Sequence, residues 1–139
     1  MSKRLIALFL AGLGCTIVSR SLFAHHGNAA FDETKYLTIT GTVTEWFWAN
    51  PHCWLKFDVK DDKDNLVHWV VETSNPPDMI NRGWSKQMFK AGDKVTVTVL
   101  TVKNGHPLGR IRQVVLPTGQ TLINEGGLNP NIPNVILKP

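Results

Sequence analysis

Cysteine is scarce in this chain, which contains only Cys15 and Cys53. Cys15 lies in an amino-terminal apolar run that we expect to be removed, so Cys53 would be the single thiol of the working protein. One thiol cannot form an intramolecular disulfide, and a disulfide framework is therefore excluded. In an oxidising compartment such a thiol is either buried, a metal ligand or a liability.

Long hydrophobic runs are also missing. The apolar stretch 5–18 follows Lys3 and Arg4 and has about fourteen residues, fewer than the ~20 that a membrane-spanning helix needs. Basic residues, a short apolar run and a small residue at Ala24 are the layout of a secretory signal peptide. We expect residues 1–24 to be removed and the protein to be periplasmic or secreted, with no membrane attachment afterwards. A retained signal anchor and a lipoprotein formed at Cys15 are the alternatives.

The expected exported chain has no excess of positive charge. Without Lys3, Arg4 and Arg20, 12 of the 15 Lys and Arg residues remain against 11 Asp and Glu residues. A nucleic-acid-binding domain would carry a basic face or stripe. Nucleic acid is therefore not an expected partner, and the sequence pI near 9.3 overstates how basic the exported protein is.

Motifs of known catalytic centres are missing as well. The sequence has no nucleophile elbow, no phosphate-binding loop and no Cys–His pair with a plausible orienting residue. Asp61, Asp62 and Asp64 resemble the start of a calcium loop, but the glycine and the terminal glutamate that such a loop requires are not there. No catalytic residue is predicted, and the pattern favours a binding protein over an enzyme.

Strand signals dominate what the chain does contain. Apolar and polar residues alternate through "YLTITGTVTEWFW", and the period of two, with many Thr, Val and aromatic residues, is typical of a β-strand. Four further strands are predicted, two in 52–60 and 66–73 and two in "KVTVTVLTV" and "RIRQVVL". Pro76 and Pro77 suit the first turn of a helix and Gly83 suits its end.

This element order predicts an all-β fold. Five strands with one short helix between the third and the fourth favour an OB-fold-like Greek-key barrel, since a sandwich would need about seven strands. The expected organisation is a signal peptide at 1–24, an arm at 25–35, the barrel at 36–123 and an irregular tail at 124–139.

Counting through the predicted hairpins identifies an outer face. A turn at 49–51 would place Trp48 opposite His52 and Trp46 opposite Trp54, and a turn around Lys63 would place Trp54 opposite Glu72. These residues have the parity opposite to the core face, so they are expected to point outward. A contiguous aromatic patch calls for an explanation: either it binds a ligand or partner, or the arm or the tail packs over it. The predicted binding residues are Trp46, Trp48, Trp54 and Glu72.

The motifs "AHHG…FD", "TGTVTEWFWANPHCW", "NRGW", "KAGDKVTV" and "VVLPTG" occur in this order between His25 and Gly119. Together they resemble the domain-of-unknown-function 6152 family of small exported bacterial proteins. The resemblance implies export and a compact β-domain, and it supplies no established activity. The chain departs from the family pattern at Cys53, where alanine is more usual, and at Ala91 and Thr118.

A metal site is the sharpest functional hypothesis. Cleavage after Ala24 would make His25 the amino terminus, with an α-amine whose ordinary pKa is near 8 beside its own imidazole. These two nitrogens can chelate a metal, and a third imidazole would complete a site suited to Cu(II). His26 offers a second mode through the amine, the intervening amide and its imidazole. His52 is the preferred third ligand, His68 the next and His106 the last.

Two hypotheses therefore stay open. The first is an exported copper-binding protein that uses His25, His26, His52 and His68. The second is a non-catalytic module that binds a partner protein, a glycan or a small ligand through the tryptophan face. The alternative to the first hypothesis is an arm without a physiological metal. The alternative for His52 is an imidazole that simply caps the turn or forms a hydrogen bond to backbone.

Overall fold

The structure is a computed structural model, and it describes residues 30–124 and 126–137. Seven strands and one short helix make up the regular structure of these residues, which confirms the all-β prediction. The strands are β1 (Tyr36–Phe47), β2 (Trp54–Lys60), β3 (Leu66–Glu72), β4 (Lys94–Thr101), β5 (Leu108–Val115), β6 (Thr121–Ile123) and β7 (Asn134–Leu137). The helix α1 (Pro76–Asn81) lies between β3 and β4, as expected.

The first five strands pair in a closed cycle. β1 pairs with β2 and with β4, β2 with β3, and β4 with β5, all antiparallel. A parallel pairing of β3 with β5 completes the cycle. Because successive side chains of a strand point to opposite faces, every strand of the cycle has an inner and an outer face.

The inner faces form the main core. Leu55, Phe57 and Val71 are completely buried, and so are Val97 and Val99 on the other side of the cycle. Alternation along each strand accounts for this: the residues between them, such as Thr96 and Thr98 of β4, point to the opposite face. A fully buried Leu, Val or Phe side chain contributes roughly 1.5–3 kcal/mol, so the inner face supplies most of the stability of the domain.

Helix α1 begins and ends where the sequence signals place it. The side chain of Asn75 accepts a hydrogen bond from the Asp78 backbone amide, and the two prolines occupy the first helical positions, where an amide hydrogen is dispensable. Gly83 follows the end of the helix with a φ of 82°, a left-handed conformation that favours glycine. Met79, Trp84 and Phe89 from this segment are buried in the main core.

β1 contains an irregularity that the sequence analysis did not place. Its register with β2 shifts between Val43 and Glu45, as in a β-bulge, where one strand has an extra residue. A shift of one residue exchanges the two faces of a strand. The alternation predicted for the end of β1 is therefore wrong after Val43: Trp46 lies opposite Leu55, and Trp54 lies opposite Phe47.

The C-terminal tail is not irregular throughout, in contrast to the prediction. Residues 134–137 form β7, which runs parallel to β1 and pairs Leu37 with Val135 and Ile39 with Leu137. The side chain of Asn134 accepts a hydrogen bond from the Thr38 hydroxyl at 2.9 Å. Many Gly, Pro and Asn residues in the preceding part of the tail hide this short apolar strand from a composition-based prediction.

A second, smaller cluster covers part of the outer surface. Phe31 of the predicted arm makes an antiparallel bridge with Val102 and packs with Tyr36 and Leu100. Leu128 and Ile132 of the tail pack against the same cluster. Phe31 and the tail therefore do cover an outer face, at β4 and at the adjoining start of β5. Among the residues described, no helix is both long and apolar enough to cross a lipid bilayer.

Candidate functional site

Four neighbouring strands each present one outward side chain at the same level of the sheet. Phe47 of β1 lies opposite Trp54 of β2, and Trp54 lies opposite Glu72 of β3. Glu72 in turn lies opposite Arg110 of β5. We call these four residues the outer row. Side chains directly opposite each other across antiparallel strands have Cβ atoms about 4.5–5.5 Å apart, and Arg110 contacts Glu72 across the parallel pair at 2.8 Å. The row is therefore a continuous surface.

Local sequence explains why these side chains point outward. Leu55 and Val71 are completely buried and adjoin Trp54 and Glu72, so alternation turns the latter two to the outside. On β1 the bulge turns Trp46 inward, which leaves Phe47 on the outer face with 48% of its surface exposed. The bulge thus determines which aromatic residue of "WFW" joins the row.

The charged half of the outer row is held rigidly. Arg110 donates a hydrogen bond from Nε to Oε1 of Glu72 at 2.8 Å, and its Nη2 forms an ion pair with the same oxygen at 2.7 Å. Only 23% of the Arg110 side chain and 14% of the Glu72 side chain are exposed. The guanidinium also stands 4.5 Å from the centre of the Phe31 ring, within the range of a cation–π interaction. Both partners are thereby fixed before any ligand arrives.

Exposed polar pairs flank the row on the same face. Lys56 contacts Glu45 at 2.6 Å, and His68 contacts Asp58 at 2.6 Å. Exposed pairs of this kind contribute only about 0–1 kcal/mol each to stability. They place charged side chains of both signs beside the partly apolar row.

Of the residues predicted for binding, Trp54 and Glu72 are cross-strand partners on the outer face, which confirms that part of the register. Trp46 is a correction. Its ring lies 6.1 Å from that of Trp84 and 5.1 Å from that of Phe89, and its Nε1 donates to the Ser85 carbonyl at 3.1 Å. The one-residue shift at the bulge turns this side chain toward the core.

Trp48 is the second correction. Its ring centre lies 5.5 Å from that of Trp46, and it packs against the main core as a partly buried residue. A platform of three indoles is therefore not formed. Trp54 is the one tryptophan of the three that stands in the outer row.

The structure separates His52 and His68, the first two choices for the third metal ligand. His52 is exposed, and its Nδ1 donates to the Thr73 carbonyl at 2.9 Å, which is the backbone bond anticipated as the alternative for this residue. His68 lies opposite Asp58, whereas His52 precedes Trp54 by two residues. Six residues of strand separate the two levels, roughly 20 Å at ~3.3 Å per residue. One metal ion cannot bind both side chains.

No group of three or more His, Cys, Asp and Glu side chains that could hold a metal ion occurs within residues 30–124 and 126–137. His25 and His26, the predicted amino-terminal ligands, lie outside the residues that the structure describes, as does the predicted signal peptide.

Cys53 is excluded as an accessible ligand or nucleophile. The side chain is completely buried in the main core. Burial raises the pKa of its thiol, because the thiolate loses its hydration there. A buried, protonated thiol is chemically inert.

Phe47 and Arg110 are the two members of the row that the sequence analysis missed. Phe47 depends on the bulge, for which the sequence carries no distinct signal at Thr44. Arg110 depends on the parallel pairing of β3 with β5, whose register cannot be counted through a turn. The one available hint was the pattern "RIRQVV", in which Arg110 and Arg112 flank the buried Ile111.

Comparison with known proteins gives a family and no function. No curated protein and no solved structure matches the chain. A family model described as a family of unknown function, DUF6152, matches residues 14–111, which is more than half of the chain. The chain therefore belongs to this family of unknown function.

Proposed function

We propose that this chain is an exported OB-fold-like module that binds a partner protein through the outer row. Export rests on the signal-peptide pattern of residues 1–24. The OB-fold assignment is supported by the closed cycle of five strands and by the position of α1 between β3 and β4. OB-folds commonly bind their ligands on the face of strands 2 and 3, and Trp54 and Glu72 occupy that face here.

The observation that carries the proposal is the composition of the row. An exposed Phe47 and a partly buried Trp54 stand beside the fixed Glu72–Arg110 pair. Binding hot spots of protein interfaces are enriched in Trp and Arg and are surrounded by polar contacts, which the Lys56–Glu45 pair provides. A charged residue held in place loses little side-chain entropy on binding, and this favours affinity.

Site-specific photocrosslinking in exporting cells tests this function. A photoreactive phenylalanine analogue replaces Phe47 in one variant and Ile80 in a matched control, since Ile80 is an exposed apolar residue on α1 with 60% of its surface accessible. We expect a discrete protein adduct from position 47 and none from position 80. Identical adducts from both positions, or none from position 47, would contradict the proposal. A carbohydrate adduct from position 47 would retain the row as a site but replace the partner protein with a glycan.

Copper binding is the second candidate. It rests on the chemistry of His25, with its α-amine, and His26 after cleavage, with His52 as the third ligand. The His52 hydrogen bond to the Thr73 carbonyl is the non-metal alternative for this residue and is also compatible with a ligand role, because it places the proton on Nδ1 and leaves Nε2 as the nitrogen with a lone pair. Metal-binding histidines usually donate their second ring nitrogen to such a carbonyl or to a carboxylate.

The copper candidate has its own test. The intact mass of the tag-free exported protein should correspond to a chain that begins at His25, and Cu(II) titration followed by EPR should show nitrogen ligation. His52→Ala should weaken the binding at least tenfold, while His68→Ala, the matched control, should not. A different amino terminus, or equal binding in both variants, would contradict copper and leave the partner-binding proposal untouched.

A further inference from the structure

A cavity of about 250 Å³ opens at the end of the sheet where β1 begins and β4 ends. Trp69 and Leu37, whose side chains belong to or pack against the main core, form its apolar part together with Val135 of β7. Lys35, His106, Thr101 and Gly105 line the remainder. The cavity is thus built from β1, β3, β4, β7 and the loop before β5.

The lining is apolar at one side and basic or neutral at the other. Lys35 provides a positive charge and His106 an imidazole, and no carboxylate is among the described residues that line the cavity. Ligand sites are typically apolar with a few polar groups that fix orientation. Such a lining fits a ligand with an apolar body and a negative charge.

A neighbouring cavity gives a useful contrast. It has about 240 Å³ and shares Trp69, but Lys60 is accompanied there by Asp61 and Asp62, and Leu137 replaces Val135 as the β7 wall. Its two carboxylates outnumber its one cation, so this second cavity has no preference for an anion. The two cavities follow one another along the same face of β7, and the difference in charge between them assigns the ligand to the first cavity.

The ammonium group of Lys35 can turn toward a ligand in the cavity at little cost, although it pairs with Asp32. Lys35 lies 3.8 Å from Asp32, and 56% of its side chain is exposed. An exposed pair at this distance contributes roughly 0–1 kcal/mol, so turning the ammonium toward a ligand in the cavity costs little.

We propose that this cavity binds a small arylcarboxylate, with the ring against Trp69, Leu37 and Val135 and the carboxylate beside Lys35. The volume is sufficient, because a dry apolar cavity of ~150 Å³ holds a benzene ring. The site is independent of the outer row: Trp69 is an inner-face residue of β3, whereas Trp54 points outward from β2. It adds a small-molecule site to a protein whose proposed partner binds elsewhere.

Phenylacetate and benzylamine, probes of similar size and opposite charge, test the proposal by NMR titration of the exported protein. Phenylacetate should shift the methyl signals of Leu37 and Val135 and the indole signal of Trp69, with an affinity several times that of benzylamine. Equal affinities would overturn the assignment of an anionic ligand. Shifts that are absent, or confined to the outer row, would overturn the site.

Four substitutions sharpen the test. Lys35→Gln should weaken phenylacetate about two- to fivefold, the range expected for one exposed charge pair, and Lys60→Gln in the neighbouring cavity is the matched control that should change nothing. Val135→Trp fills the cavity from a residue that is 45% exposed on an edge strand, so the fold should tolerate it, and binding should be lost. Retained binding in Val135→Trp, or an equal loss in both lysine variants, would contradict the proposal. Trp54→Ala should leave the phenylacetate affinity unchanged.

Discussion

Replacing Trp46 and Trp54 in turn by alanine tests which of the two side chains packs on the core, as the β1 bulge assigns them. The free energy of unfolding is compared between the two variants. Trp46→Ala removes ring contacts at 6.1 Å to Trp84 and 5.1 Å to Phe89, and it also removes the hydrogen bond to the Ser85 carbonyl. A tryptophan-to-alanine change in a core costs about 3–5 kcal/mol. Because Trp46 is only partly buried, the lower end, about 3 kcal/mol, is expected.

Trp54→Ala is the matched control, since it removes the same side chain from the outer face of the adjoining strand. Its effect on the free energy of unfolding should stay below about 1 kcal/mol, as for most surface substitutions. Urea denaturation followed by far-ultraviolet circular dichroism measures both. With a slope of about 1.5 kcal/mol per molar urea, the midpoint for Trp46→Ala should fall by about 2 M and that for Trp54→Ala by less than about 0.7 M. Equal losses in the two variants, or a larger loss for Trp54→Ala, would refute the bulge-based assignment of the faces.

Three further predictions concern the same fold. Gly41→Ala places a Cβ 2.6 Å from a Phe57 ring carbon and 2.7 Å from the Asp58 carbonyl oxygen, so overpacking should lower stability by about 1–3 kcal/mol, and an unchanged melting temperature would contradict it. Hydrogen bonds from Asn65 hold the pKa of the Asp61 carboxyl below its ordinary 3.8. The carboxylate therefore stabilises its turn fully above pH 3.8, and this stabilisation is lost as the pH falls through the lowered pKa. A carbon NMR titration of Asp61 with a midpoint at or above 3.8 would disprove this. Cys53 should resist a thiol reagent in the native protein and react in urea, and rapid native labelling would show that it is not buried.

Sequence patterns were sufficient for the elements that depend on local signals. The alternation of β2 and β3, and the turn between them around Lys63, predicted the pairing of Trp54 with Glu72. Pro76, Pro77 and Gly83 predicted α1 because each restricts the backbone at its own position.

Features that depend on non-local pairing were not predictable in this way. An alternating pattern contains no information about an extra residue, so the bulge in β1 reversed the face assigned to Trp46. Arg110 joined the row through a parallel pairing between strands far apart in the chain. β7 was missed because its four side chains are all exposed, so burial leaves no pattern in its sequence. The strand forms because the edge of β1 is unpaired there.

The role of the outer row can be measured directly from the yield of the adduct formed at position 47. Trp54→Ala removes an apolar side chain from the outer row on β2. Leu66→Ala is the matched control, because it removes an exposed apolar side chain from the far end of β3, outside the row. If the row binds the partner, a hot-spot loss of ~2 kcal/mol or more should reduce the adduct in Trp54→Ala at least tenfold, while Leu66→Ala stays within about twofold of the parent. An undiminished adduct in Trp54→Ala, or an equal reduction in both variants, would contradict the assignment of the outer row as the binding site.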